Sequence, residues 1–93
     1  MIRSFRDART RAAFEGIASK GFPADLLAMT RRKLGYLHAA TNLNDLRAPP
    51  GNRLEALKGD RRGQHAIRVN DQWRICFVWT SDGPRDVEFV DYH

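Results

Sequence analysis

The stretch WRICFVW, residues 73–79, decides how the chain is read. Trp73, Ile75, Phe77 and Trp79 alternate with Arg74, Cys76 and Val78. A period of two belongs to a strand with one buried face, whereas a helix groups its apolar residues three and four apart. Working backward, Asn70-Asp71 reads as a tight turn, and His65, Ile67 and Val69 repeat the alternation. Lys58-Gly59-Asp60-Arg61-Arg62-Gly63 is a polar loop, preceded by a strand over Arg53–Leu57. Working forward, Ser81-Asp82-Gly83-Pro84 turns the chain into a last strand, Val87–His93. Strands joined by such short turns predict an antiparallel meander.

The first half has a different period. Asp7 can cap a helix over ARTRAAFEGIASKG, with Ala13, Phe14 and Ile17 on one side and Lys20-Gly21 as the stop. Phe22-Pro23-Ala24-Asp25 opens a second helix, with proline in its first turn. Leu27, Thr30, Leu34 and Leu37 form its apolar stripe, with Leu26 beside them, and Arg31, Arg32 and Lys33 its outer face. Ile2–Phe5 suits either a short strand or a helix lead-in. Leu43–Leu46 reads as one helical turn before the Pro49-Pro50-Gly51 break. The expected fold is α+β: two N-terminal helices packed on a small antiparallel sheet, in one domain over residues 1–93.

Charge narrows the function. Lys and Arg total 16 against 11 Asp and Glu, a net +5. Thirteen of the 16 are arginine, whose planar fork suits phosphate. Basic residues gather in the N-terminal half and in the Arg53–Arg74 block, so an anionic partner, nucleic acid first, is expected. Cys76 is the single cysteine and lies in an apolar run, so a buried small hydrophobe is expected rather than a disulfide or reactive thiol. His38, His65 and His93 are scattered, and one cysteine offers no zinc spacing. No Walker or dinucleotide-type glycine loop is present. No metal or cofactor is therefore expected. No apolar stretch approaches a membrane span and no signal-peptide pattern is visible, so a cytoplasmic protein with no membrane partner is expected.

The last strand carries chemistry. Strict alternation sends Asp91 and His93 to the same side as Val87 and Phe89. Unpaired polar groups do not lie in a core, so this strand end must reach beyond the helices to a cleft or rim. Tyr92 starts on the opposite face with Val90 and Arg74.

RLEALKGDRRGQHAIRVNDQWRICFVW (53–79), followed by VDYH (90–93), resembles the HigB branch of the RelE/ParE superfamily of bacterial toxins. The likeness covers essentially the whole chain, and the PPGNRLEAL and VEFVDYH wording is similar to GraT-type toxins of that branch. The resemblance implies a metal-independent ribonuclease that cuts mRNA in the ribosomal A site. It also implies a helix-turn-helix antitoxin that neutralises the toxin in a heterotetramer and represses the shared operon, operator DNA being reached only through the antitoxin. By the same resemblance Lys58, Arg74, Asp91, Tyr92 and His93 are the functional positions. Many members carry a histidine three residues before the loop lysine; here that position is Glu55, which can serve as a base or balance Arg53 or Arg74.

The residue types suit that chemistry. Metal-free RNA cleavage removes the 2′-OH proton, stabilises charge on the phosphate, and protonates the leaving 5′-oxygen. His93, with an ordinary pKa of ~6.5, suits proton transfer better than Tyr92 at ~10. Lys58 and Arg74 suit the phosphate. Arg53, Arg61, Arg62 and Arg68 are candidates for RNA-backbone contacts. Asp91 can pair with Arg74 or orient His93, Tyr92 can pack or stack on a base, and Trp73 and Trp79 read as core. Two other classes fit the composition: a ParE-like gyrase inhibitor and a basic RNA- or DNA-binding module without catalysis.

Overall fold

In the computed structural model, which describes residues 1–91, two helices cover one face of a four-stranded antiparallel sheet. The helices are α1 (Ala8–Phe14) and α2 (Leu27–Ala39); the strands are β1 (Glu55–Ala56), β2 (His65–Arg68), β3 (Arg74–Thr80) and β4 (Gly83–Val90). Strand order is β1-β2-β3-β4, a meander as the alternation predicts. Ile67, Val69, Ile75, Phe77, Val87 and Phe89 face the helices and bury against Ala13, Phe22, Leu34 and Leu37. Trp73 and Trp79 are half-buried against this core, as expected. No helix among the described residues is long and apolar enough to cross a membrane.

Helix α1 starts where the sequence says and stops earlier. The Asp7 carboxylate accepts from Thr10 N at 2.7 Å, capping the first turn. The helix then ends in a glycine stop: Gly16 has φ +88°, its N–H donates to Ala13 O, and Ile17 N–H donates to Ala12 O. Ile17 therefore leaves the helix and is 56% exposed, rather than extending the buried stripe. Pro23 caps a 3-10 turn, Ala24–Leu26, that leads into α2.

Thr30, Leu34 and Leu37 are buried along α2 as expected, but Lys33 is not on the outer face. It is 9% exposed, and its Nζ donates to Asn52 Oδ1 at 2.6 Å. Asn52 is fully buried, and its Nδ2 donates to Leu46 O and Ala48 O, each at 3.2 Å. One lysine thus ties α2 to the whole 46–52 connection, including the expected helical turn, a 3-10 segment at Leu43–Arg47. Spacing alone misplaced it, because the partner that makes its burial tolerable is 19 residues away.

Two strands differ from expectation. Arg53 has φ +45° at the end of the Pro50–Asn52 turn, so β1 begins only at Glu55. β4 begins at Gly83 rather than Val87, since the turn is Ser81-Asp82 alone and Thr80 pairs with Gly83. Pro84 is tolerated because β4 is a sheet-edge strand. Two residues on β4, Asp86 and Val87, face one on β3, Phe77, between the Cys76–Glu88 and Val78–Arg85 pairs, a bulge with Asp86 at φ +53°.

The segment Ile2–Phe5 does both things the sequence allowed: it pairs with β4 and leads into α1. Phe5 bridges Val87 in parallel, Arg3 N donates to Pro84 O, Val87 N to Ser4 O, and Arg6 N to Val87 O. Gly83 makes room for it, since a Cβ there would lie 2.3 Å from Met1 O. Helix α1 continues the seal. Phe89 N donates to Thr10 Oγ1 at 3.0 Å, and Arg9 Nη2 donates to Phe89 O at 2.7 Å.

Burial holds the Lys33 pKa below its ordinary 10.5, with the Arg32 and Arg68 charges adding to the effect. The folded state then loses this proton at lower pH than the unfolded state, so stability rises with pH through the window that ends at 10.5. Lys33→Met, which cannot titrate, should lack that rise. Denaturant titrations from neutral pH to about pH 10 should show wild type gaining stability relative to the variant; parallel curves would refute the assignment.

Candidate active site

The sheet face away from the helices is open, and the register fixes what it presents. Glu55, Ala66, Cys76 and Glu88 form one row across all four strands. Arg68, Arg74 and Val90 form the next row over β2, β3 and β4. Most of the sequence candidates fall on or beside this face.

Arg68 and Arg74 stand directly opposite each other, a like-charge pair that disfavours the sheet by itself. The turn between their strands offsets the cost. Arg68 Nη2 pairs with the Asp71 carboxylate, and Arg74 Nη1 donates to Asn70 O and to Trp73 O. Asn70 Oδ1 in turn accepts from Gln72 N and Trp73 N, which fixes the turn. The hydrogen bond from Arg68 holds the Asp71 carboxyl below its ordinary range, with Arg68, Arg74 and Arg53 acting on it as charges. Three candidate arginines therefore converge around one short turn.

Asp91 follows β4 beside this cluster. It is exposed and accepts from Gln72 Nε2 at 3.0 Å, so the chain has cleared the helices by this residue, as the alternation required. Tyr92 and His93 lie outside the described residues. Just upstream, Phe89 stacks on Trp73, with ring centroids 4.4 Å apart and planes at 6°. The Arg9 guanidinium lies 5.6 Å from the Trp73 ring and 5.5 Å from the Phe89 ring. The end of β4 is thus held by a ring stack with a guanidinium beside it.

At the other end of the face stands the loop after β1. Lys58 is exposed and precedes a 3-10 turn, Gly59–Arg61. Arg62 is exposed beside it. Arg61 turns inward: its Nη1 donates to Glu88 Oε1 at 2.7 Å and to Gln64 Oε1 at 3.1 Å. Arg6, Asp60, Arg61, Gln64 and Glu88 line a cavity of about 380 Å³ here. Another cavity, of about 330 Å³, lies by the β3–β4 turn between Met1, Asn42 and Trp79 and holds none of the sequence candidates.

Cys76 is fully buried in the middle of the row. Burial pushes its thiol up to about 11, so it stays protonated at neutral pH and acts as a small apolar floor. Glu55 is exposed on β1 at one end of the same row. The register therefore brings Glu55, Arg68 and Arg74 to one face, with Asp91 at its rim, while Arg53 and Lys58 flank β1. The sequence reading missed Glu88, Gln72, Arg6 and Arg9. Alternation sets Glu88 opposite to Val87 and Phe89, hence on this face, but no local signal names a partner in a loop 27 residues away.

A family model for the RelE-like toxin of the type II toxin-antitoxin system HigB matches residues 3–93. The chain belongs to the HigB-like toxin family. Among curated relatives, "Toxin HigB-1" of Vibrio cholerae is 48% identical over 62 residues, covering 67% of this chain and 64% of that protein. "Endoribonuclease HigB" of Proteus vulgaris is 31% identical over 93 residues and covers the whole of both chains. An uncharacterised Haemophilus influenzae protein is 35% identical over 71 residues, covering 76% of this chain and 69% of its own. Among solved structures, the YoeB-YefM complex from Staphylococcus aureus contains a chain that matches with a TM-score of 0.61 at 13% identity, over 100% of this chain and 98% of that one. That likeness concerns the fold alone, which in this chain is two helices on a four-stranded antiparallel sheet.

Proposed function

We propose that this HigB-like toxin is an endoribonuclease whose substrate is messenger RNA held in the ribosomal A site. The enzyme class is that of the family and of the full-length Proteus relative. One observation carries the reading for this chain: Arg68 and Arg74 stand side by side on an open face, at the strand end that leads to Asp91, Tyr92 and His93. A fold keeps two facing guanidiniums where an anion is to be bound.

In this scheme the ribose 2′-OH attacks the adjacent phosphorus and the 5′-oxygen leaves. Arg74 and Lys58 stabilise the charge that builds on the phosphate. His93 transfers a proton, with Asp91 orienting it, and Tyr92 stacks on a base or assists the transfer. Glu55, on the same face where many relatives carry a histidine, is the alternative base. Arg53, Arg62 and Arg68 hold the RNA backbone. No metal enters the scheme, since side chains supply each proton and charge the reaction needs. The ribosome supplies the in-line geometry that so small a protein lacks the surface to impose, which places the activity in the cytoplasm.

The partner that restrains the toxin is an antitoxin of the helix-turn-helix type, assembled with it as a heterotetramer that reaches operator DNA through the antitoxin. Its docking surface is the basic helical half, remote from the cleavage face. Lys33 is buried, so the exposed charges there are Arg31 and Arg32.

Three outcomes are expected. A message with 2′-deoxyribose at the cut position should resist cleavage on programmed ribosomes; normal cutting of it would eliminate 2′-OH attack. Deleting His93 should lower the single-turnover rate ~10²–10⁴-fold while thermal unfolding changes little, because general acid–base groups act on that scale. A near-normal rate would move the proton transfer to Glu55 or Tyr92. Reversing Arg31 and Arg32 to glutamate should weaken antitoxin binding, read by titration calorimetry, and leave cleavage intact; an unchanged affinity would move the interface elsewhere.

A further inference from the structure

Glu88 has no part in the reaction proposed above, yet it is a sheltered and paired carboxylate on the cleavage face. Its side chain is 13% exposed, its Oε1 accepts from Arg61 Nη1 at 2.7 Å, and Arg6 Nε lies 3.9 Å from the same oxygen. Arg61 comes from the loop after β1 and Glu88 from β4, at opposite edges of the sheet. The pair closes over β2 and β3, where Ala66 and Cys76 are fully buried. An ion pair this sheltered is screened less than an exposed one.

The loop it holds is stiff inside and loosely mounted. Arg61 N donates to Lys58 O, Arg62 N to Gly59 O, Gln64 N to Arg61 O, and Leu57 N to Gln64 O. Arg61 Nη1 also reaches Gln64 Oε1, so the arginine is built into the loop as a strut. The mounting is weak. Gly59 and Gly63, at φ +63° and +93°, flank the strut, and a Cβ at either would meet nothing within 4 Å. The strand that precedes the loop is two exposed residues long. A long-range tie runs from Arg61 to β4.

We propose that Glu88 is a positioning residue for the ribonuclease reaction: through Arg61 it holds the 58–64 loop, and with it Lys58, at a fixed place over the open face. The inference rests on the ribonuclease reading. It assigns Arg61 a different task from Arg62. Arg61 spends its charge within the protein, and Arg62 remains exposed for RNA. An ammonium placed by the several free torsions of a lysine side chain stabilises a phosphate only if its backbone is fixed, and misplacement by about 1 Å can cost ~100-fold in rate.

The test compares wild type, Glu88→Gln and the charge swap Arg61→Glu/Glu88→Arg. Single-turnover cleavage is measured on programmed ribosomes at saturation, together with hydrogen exchange of the 59–64 amides and thermal melting. Glu88→Gln should cut about 10–100-fold more slowly, keep its apparent affinity for ribosomes, exchange faster across 59–64, and melt within about 5 °C of wild type. The swap should restore both slow exchange and rate. Wild-type rate and exchange in Glu88→Gln would overturn the proposal. So would a swap that restores exchange without rate, because Arg61 would then touch RNA itself. A wild-type chain that leaves the message uncut removes the ribonuclease reading and the Lys58 role together, whereas normal wild-type cutting with an unaffected Glu88→Gln removes this inference alone.

Discussion

The outer edge of β4 is the constraint on which the rest depends. An edge strand exposes a row of unpaired N–H and C=O groups, and each buried one left unpaired is costly. Here residues 3–10 take up that row in sequence: Arg3 on Pro84, Ser4 on Asp86 and Val87, Arg6 on Val87, then Arg9 and Thr10 on Phe89. The sealing changes character half-way. Backbone pairs, with the Ser4 hydroxyl accepting from Asp86 N, serve until Val87, and side chains of α1 serve Phe89, because the chain has by then become helical. β4 is thereby carried in register to Val90, and Asp91 follows from a fixed base. The Trp73–Phe89 stack with Arg9 above it adds an apolar clamp at the same level. Residues 3–10 thus fix the course of β4 as far as Phe89.

A second fixed point is the buried Lys33–Asn52 pair. An unpartnered lysine at that depth is very unfavourable, and one tied to a buried amide that holds two backbone carbonyls is tolerated. The pair decides where the 46–52 connection lies against α2, and so where Arg53 and Glu55 enter the open face. The two fixed points act on opposite edges of the sheet, β4 on one side and β1 on the other, and the open face lies between them.

Much of the architecture was legible because period two and period 3.6 are unambiguous over stretches such as 73–79 and 27–37. The misses share one physical origin. Ile17 was assigned to α1 on spacing, yet the Gly16 stop forms from backbone hydrogen bonds that outweigh one apolar side chain. β4 was begun four residues late because Gly83-Pro84 reads as a turn, and only the hairpin register and the edge position make it strand. Spacing places Lys33 on the outer face, and charge makes Arg61 an RNA contact, because their partners, Asn52 and Glu88, are distant in sequence. For the site, the residues of the face were legible from the family likeness and the alternation, which together name Lys58, Arg74 and Asp91. What they do not contain is the wiring: Arg74 onto Asn70 and Trp73, Asp91 onto Gln72, Arg61 onto Glu88. Such pairings depend on which loop meets which strand, and that is decided only when the whole sheet has closed.

The wiring also explains how a small face can hold so many cations without RNA. Two unit charges about 4 Å apart repel by ~1 kcal/mol in water and by several times that near a protein surface. Arg68 and Arg74 escape most of this because each guanidinium already rests on acceptors of the 70–73 turn, and Arg61 rests on Glu88. These acceptors differ in kind. Arg74 has neutral carbonyls, which leave its full positive charge available. Arg68 has an exposed carboxylate, which a phosphate can displace. Arg61 has a sheltered carboxylate, which a phosphate cannot easily displace. The same residue type is thus graded across one face by its partner, from a cation held ready beside the end of β4, through one that can exchange its anion, to one committed to holding a loop.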